Sequence, residues 1–250
     1  MVNISFLPEH LFSIGDLSVT NTLLVSWIVV LFLCLIAFLL SRIKFTLKPK
    51  PKSLQNIAEI AIEGLFNLIQ SVTGEEKLTR RMFPLIATIF FFVLFSNWSG
   101  LVPGVGTIGL NEVEDGETIL VPFLRSPSAD LSFTLALAVI SVLATQILGV
   151  AAIGFFKYAG KFLNFKSGIF FFVGLLELVS EVTKMISFSF RLFGNVFAGE
   201  VLLAVILFLV PLIAPLPFLF LEVIVGLIQA FIFSMLTIVF IRMATMPAEH

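Results

Sequence analysis

Five long apolar stretches constrain this chain more than any other feature. A membrane-spanning helix needs about 20 consecutive, mostly apolar residues. Residues 22–45, 82–103, 131–156, 169–210 and 216–246 each contain such a run. The composition fits: 59% of the 250 residues are apolar and only 12% are charged, where a soluble domain carries about a quarter charged. Thirty phenylalanines stand against one tyrosine. The expected fold is an all-α integral membrane protein in a single membrane domain over 1–250. It has five membrane-crossing helices plus one amphipathic surface helix, and the last two helices are long and strongly tilted.

The same counts exclude several functions. A net charge of −1 offers no basic field to nucleic acid. The lone cysteine, Cys34, excludes an intramolecular disulfide and a Cys-based zinc site. His10 and His250 sit at the ends of the chain, so histidine catalysis inside the membrane is nearly excluded. No HExxH, GxSxG or P-loop pattern occurs, and no metal or cofactor is expected. The upstream segment 1–21 is too polar and acidic for a typical cleaved signal peptide. No internal repeat supports an inverted-repeat transporter.

The segment 53–70 differs from the spans. Leu54, Ile57, Ala61, Leu65 and Leu68 recur at helical spacing, and Gln55, Asn56, Glu59, Glu63 and Asn67 fill much of the remainder. This predicts an amphipathic helix, either lying along the membrane surface or packed on the protein's own loops.

Basic residues in short loops set the orientation. Arg42, Lys44, Lys48, Lys50 and Lys52 follow the first span and place that end in the cytoplasm. The N-terminal segment 1–21 then lies outside. So does the loop 104–130, with Glu112, Glu114, Asp115 and Glu117. Lys157, Lys161 and Lys166 fall inside. The stretch 169–210 has no proline or polar cluster at its middle, which favours one long tilted helix over two spans. At about 1.5 Å per residue it reaches about 63 Å, twice the hydrocarbon thickness. The C-terminus is then cytoplasmic.

Six ionisable residues lie within 169–241: Glu177, Glu181, Lys184, Arg191, Glu200 and Glu222. Ionisable groups at bilayer depth cost several kcal/mol and mark function by default. Glu177, Glu181, Lys184, Phe188, Arg191 and Asn195 fall within about 80° on a helical wheel. Glu200 lies about 13 Å beyond Arg191 and roughly on the opposite side. Glu222 and Gln229 share a face of the last helix, Glu222 near the depth of Glu200 and Gln229 nearer that of Arg191. Arg191 cannot shed its proton and has no carboxylate of this chain at its own level. Carboxylates offset in depth on either side of it suit two proton routes that do not meet. An ion pair near the headgroups accounts equally well for Glu177–Lys184. Asn97 beside Trp98 fits an interfacial cap or an ion path, and Asp130 fits a helix N-cap.

At Arg191-Leu192-Phe193-Gly194-Asn195-Val196-Phe197-Ala198-Gly199-Glu200 the chain resembles the a subunit, or subunit 6, of F-type ATP synthases. The resemblance extends to Leu7-Pro8-Glu9-His10, Pro127-Ser128-Ala129-Asp130, Gln229-Ala230-Phe231-Ile232-Phe233 and the closing Met243 to His250. It implies a non-catalytic, proton-translocating stator subunit beside a ring of c subunits, with peripheral-stalk b subunits, the F1 sector and membrane lipid as partners. Two offset half-channels would face the ring. The resemblance implies that Arg191 is the essential arginine, with Asn195 and Gln229 near it. Glu200 and Glu222 would line the outer half-channel, Glu177 and Lys184 would lie near the cytoplasmic one, and Asn97 on the outer path. Glu181 joins that set through its place on the same face. Many members carry Glu and His where this chain has Glu200 and Glu222, so a coupled, proton-sharing acid pair is expected here. The expected location is a bacterial inner membrane, with a mitochondrial inner membrane as the alternative. A stand-alone ion channel or secondary transporter is the competing function.

Overall fold

A computed structural model describes residues 8–15, 17–43, 53–102, 108–114, 117–162, 168–210 and 213–245. Seven α-helices dominate the described residues: α1 (Asn21–Arg42), α2 (Leu54–Thr73), α3 (Glu76–Ser99), α4 (Leu131–Ile153), α5 (Phe155–Phe162), α6 (Gly168–Leu209) and α7 (Pro215–Thr245). Of these, α1, α3, α4, α6 and α7 are long and apolar enough to cross a membrane. The chain is therefore an all-α membrane protein. Two small antiparallel hairpins lie between helices or ahead of them: β1 (His10–Ile14) with β2 (Leu17–Thr20), and β3 (Gly109–Glu114) with β4 (Glu117–Pro122). The lysines at 44, 48, 50, 52 and 166, Asp115 and the tail after Thr245 lie outside the described residues.

Helix starts follow local chemistry. Thr20, Ser53 and Asp130 each accept a hydrogen bond from a first-turn backbone N–H of α1, α2 and α4. A free helix N-terminus has such N–H groups to satisfy. Asp130 also accepts from the Thr22 hydroxyl at 2.9 Å, which ties the start of α4 to the start of α1. The third apolar stretch divides at Gly154, whose φ of +93° favours glycine. Helix α4 ends there, and the short α5 turns away with Phe155 and Phe156 exposed. By contrast, 168–209 is one uninterrupted helix of 42 residues.

The core joins α3, α4, α6 and α7 through Val93, Ala138, Leu192, Ala230 and Phe233. In a bilayer the apolar effect does not drive helices together, so close packing and interhelical hydrogen bonds must. Thr134 and Ser189 pair their hydroxyls at 3.0 Å, and Ser141 pairs with Thr237 at 2.8 Å. Trp98 donates to the Val223 carbonyl at 3.0 Å, while Asn97 donates to that of Gly226 at 2.9 Å. These four contacts fasten α3 to α7 and α4 to both long helices.

Helix α2 is held on one side only. Leu65 and Ile69 are buried with Met82, Ile86, Ile238 and Ile241. Ile57 and Ile60 on the same helix are exposed. Its inner face therefore packs on α3 and α7 rather than on loops, and its outer face keeps an apolar character.

Candidate functional site

Arg191 stands near the middle of α6 and points away from the bundle. Its nearest polar partner is Ser187, one turn back, whose Oγ accepts from a terminal guanidinium nitrogen at 3.2 Å. Among the described residues it has no ion pair. Asn195, one turn further on, is also exposed. The inner side of α6 at this level is fixed by Phe188, Ser189 and Leu192, all buried. Burying these residues turns Arg191 outward, because one helix cannot bury both faces against the same neighbours. Phe188, which the wheel grouped with Arg191, instead packs against Phe233 at 5.0 Å and Phe240 at 5.4 Å.

Towards the α6 C-terminus the polar groups are internal. Glu222 is buried on α7, and its carboxylate lies against the α-carbon of Gly199, where any Cβ would overlap it. Glycine at 199 thus makes the space that lets Glu222 reach across to α6. Glu222 forms no hydrogen bond or ion pair with another described residue. Gln229, two turns along α7, is buried and likewise makes none.

Glu200 has a partner that spacing could not reveal. Arg125 donates through Nε at 3.1 Å and 3.3 Å to the two carboxylate oxygens, and through Nη2 at 3.2 Å. Arg125 is 6% exposed, and the side chain of Glu200 is 36% exposed. The segment 123–130 carries this arginine inward, ahead of the 3-10 turn at Pro127–Ala129. The expectation of two close acids sharing a proton therefore needs amending, because a guanidinium holds one of them. The one available signal was that Arg125 is the only cation in 104–130.

Around these acids lie buried oxygens with no hydrogen-bond partner among the described residues: Ser96 Oγ, Asn97 Oδ1 and Ser128 Oγ. Asn97 uses its amide nitrogen on α7 and leaves its oxygen unpaired. Its interfacial-cap role is replaced by a helix-to-helix bond.

Towards the α6 N-terminus, Lys184 and Glu181 pair at 2.6 Å, and the ammonium sits 4.7 Å over the Phe240 ring. Glu181 Oε2 is buried without a partner, and Glu177 is exposed. Tyr158 of α5 donates to Gln146 Oε1 at 2.7 Å. Burial, and then the charges of Glu181 and Glu177, push its phenol up to about 12. Sequence reasoning did not single out this residue. Its companions are an apolar face and a helix too short to show periodicity.

No group of three or more potential metal ligands occurs among the described residues. Among the described residues the site holds one outward arginine, with the buried Glu222 and the ion-paired Glu200 on one side of it and the ion-paired Glu181 and the exposed Glu177 on the other.

Such charges, carried on long apolar helices of one bundle, mark a polytopic membrane protein. The family model described as "ATP synthase A chain" matches residues 23–242. An "ATP synthase subunit a" of Campylobacter concisus is 36% identical over 224 residues, covering 87% of this chain and 89% of the relative. The corresponding protein of Moorella thermoacetica is 32% identical over 94% of both chains. That of Campylobacter curvus is 34% identical over 97% of this chain and the full length of the relative. The chain belongs to the ATP synthase A chain family. With bacterial relatives and five apolar helices, it is a multi-pass membrane protein of bacterial kind.

Proposed function

We propose that this chain is the proton-translocating stator subunit of an F-type ATP synthase. In this reading it makes no covalent bond and forms two offset half-channels against a ring of c subunits. The observation that carries it is the exposed, unpaired Arg191 near the middle of a long apolar helix. A permanent charge at that depth costs several kcal/mol unless something pairs with it. Among the described residues its polar partner is a serine, so in this reading the charge partner belongs to another subunit. A mid-membrane carboxylate on a neighbouring ring fits that need.

The physical cycle follows. A ring carboxylate facing lipid must be neutral, because a bare charge there is too costly. Opposite Arg191 the ionised form is favoured. The acid therefore releases its proton there and is reprotonated from the other half-channel. Arg191 also repels a proton moving directly between the routes. Each elementary charge crossing 100 mV carries about 2.3 kcal/mol, which biases rotation.

Glu222, Glu200 and Asn97 line the outer route in this proposal, with Gln229 and Asn195 beside Arg191. Unpaired buried oxygens at Ser96, Asn97 and Ser128 support a hydrated path, since buried polar groups need partners. Glu177, Glu181 and Lys184 flank the cytoplasmic route. The N-terminus lies outside, the C-terminus in the cytoplasm, and the membrane is the bacterial inner membrane. Peripheral-stalk b subunits and the F1 sector complete the complex.

Cross-linking in the assembled complex tests the apposition. Asn195→Cys is expected to form a disulfide with a cysteine placed one turn from the ring carboxylate. Absence of that cross-link, with efficient cross-linking from lipid-facing Phe208→Cys to the ring, would place the ring on another face and refute the reading.

A further inference from the structure

A cavity of about 430 Å³ opens where α3 begins and where α4 and α7 end. None of the charges described above line it. Arg81 and Arg242 supply its cations and Glu75 its only acid. Leu78, Met82, Leu148 and Ala152 form an apolar wall. We propose that this cavity binds an anionic phospholipid, with the headgroup phosphate on Arg81 and Arg242 and the first acyl carbons on that wall.

Several observations converge. Neither arginine has an ion pair among the described residues. Arg242 donates one N–H to the Val72 carbonyl at the end of α2, and a guanidinium has five N–H donors. Arg81 makes no hydrogen bond with another described residue. Two guanidiniums against one carboxylate leave a net positive cavity, and the guanidinium fork matches phosphate geometry. The volume lies within the range of small-molecule sites and exceeds what a phosphate ion fills. A free phosphate would leave the leucine and methionine wall wet, whereas an acyl chain covers it. The cavity also sits at the ends of three spanning helices, at headgroup level, where basic pockets between helices take anionic headgroups. Immediately after α4, Phe155 and Phe156 are exposed, as expected of a lipid-facing rim.

The site is independent of the proton-path reading. It can be tested with the whole complex purified in mild detergent and returned to vesicles. The probes are phosphatidylglycerol and phosphatidylcholine carrying the same photoreactive acyl chain, with inorganic phosphate as competitor. Phosphatidylglycerol is expected to label peptides containing Met82 or Leu148 about tenfold more than phosphatidylcholine does, one charge-assisted bond's worth. Arg81→Gln should remove that preference. Arg80→Gln should keep it, because Arg80 pairs with Glu76 on the exposed face of α3. Equal labelling by the two lipids overturns the proposal, as does labelling that survives Arg81→Gln. Loss of labelling with millimolar phosphate would assign the site to a soluble anion and overturn the lipid.

Discussion

The carboxylate of Glu222 on α7 rests against the α-carbon of Gly199 on α6, in space that no other residue type would leave. This contact makes the depth and direction of a buried acid depend on the absence of a side chain one helix away. Gly199→Ala should force the carboxylate aside at an overpacking cost of about 1–3 kcal/mol. A displacement of about 1 Å can cost up to about 100-fold in rate. Proton-driven ATP synthesis should therefore fall by at least about tenfold in a complex that still assembles. Adding Glu222→Asp, one methylene shorter, should recover part of the loss. Synthesis in inverted vesicles, with complex quantified by immunoblot, checks both outcomes.

Arg125 and Glu200 form the second internal relationship. Removing Arg125 takes the guanidinium from Glu200, and removing Glu200 takes one carboxylate from the buried Arg125; either single loss costs more than losing both. Arg125→Ala and Glu200→Ala should each slow proton pumping, and the double variant should lose less than the sum. A coupling of about 1 kcal/mol or more is expected from contacting, hydrogen-bonded groups. Arg125→Lys should restore only part of the function, since an ammonium lacks the planar fork. Fluorescence-quenching rates for the four-variant cycle measure the coupling.

Tyr158 is the only tyrosine of the chain, so its ionisation can be read directly. With its phenol pushed up from 10 to about 12, the purified subunit should show no phenolate absorbance near pH 10. Because the folded value is raised, the stabilisation it reflects is complete below pH 10 and is lost as pH rises through about 12. Tyr158→Phe should lack that alkaline component. Ultraviolet difference titration at about 295 nm, repeated in guanidinium chloride over the same alkaline range, distinguishes the folded from the unfolded value.

Helices α1, α3, α4, α6 and α7 were legible in the sequence because spans of this kind are written as local apolar runs. The unbroken α6 was legible for a related reason: no proline or polar cluster lies at the middle of 169–210. The break at Gly154 was not, because the apolar character continues through Phe155 and Phe156 and only the backbone angle marks the end. Arg191, Glu200 and Glu222 stood out as charges in apolar surroundings. Arg125 did not, because its partner is 75 residues away and its own segment has no periodicity. Gly199 enters the sequence analysis only as part of the Arg191–Glu200 block, and the direction of the Glu222 side chain gives it a purpose. Long-range pairing leaves little trace in a single sequence, and that is where the site differed from expectation.

Arg191 carries the central claim, and one variant tests it most directly. Complex bearing Arg191→Ala is reconstituted into vesicles and subjected to an acid–base jump with a potassium diffusion potential. ATP formation and passive proton uptake are recorded on the same preparation. The account predicts no ATP synthesis above background and a raised passive proton conductance with the complex intact. Proton-driven synthesis close to that of the unmodified complex would contradict it.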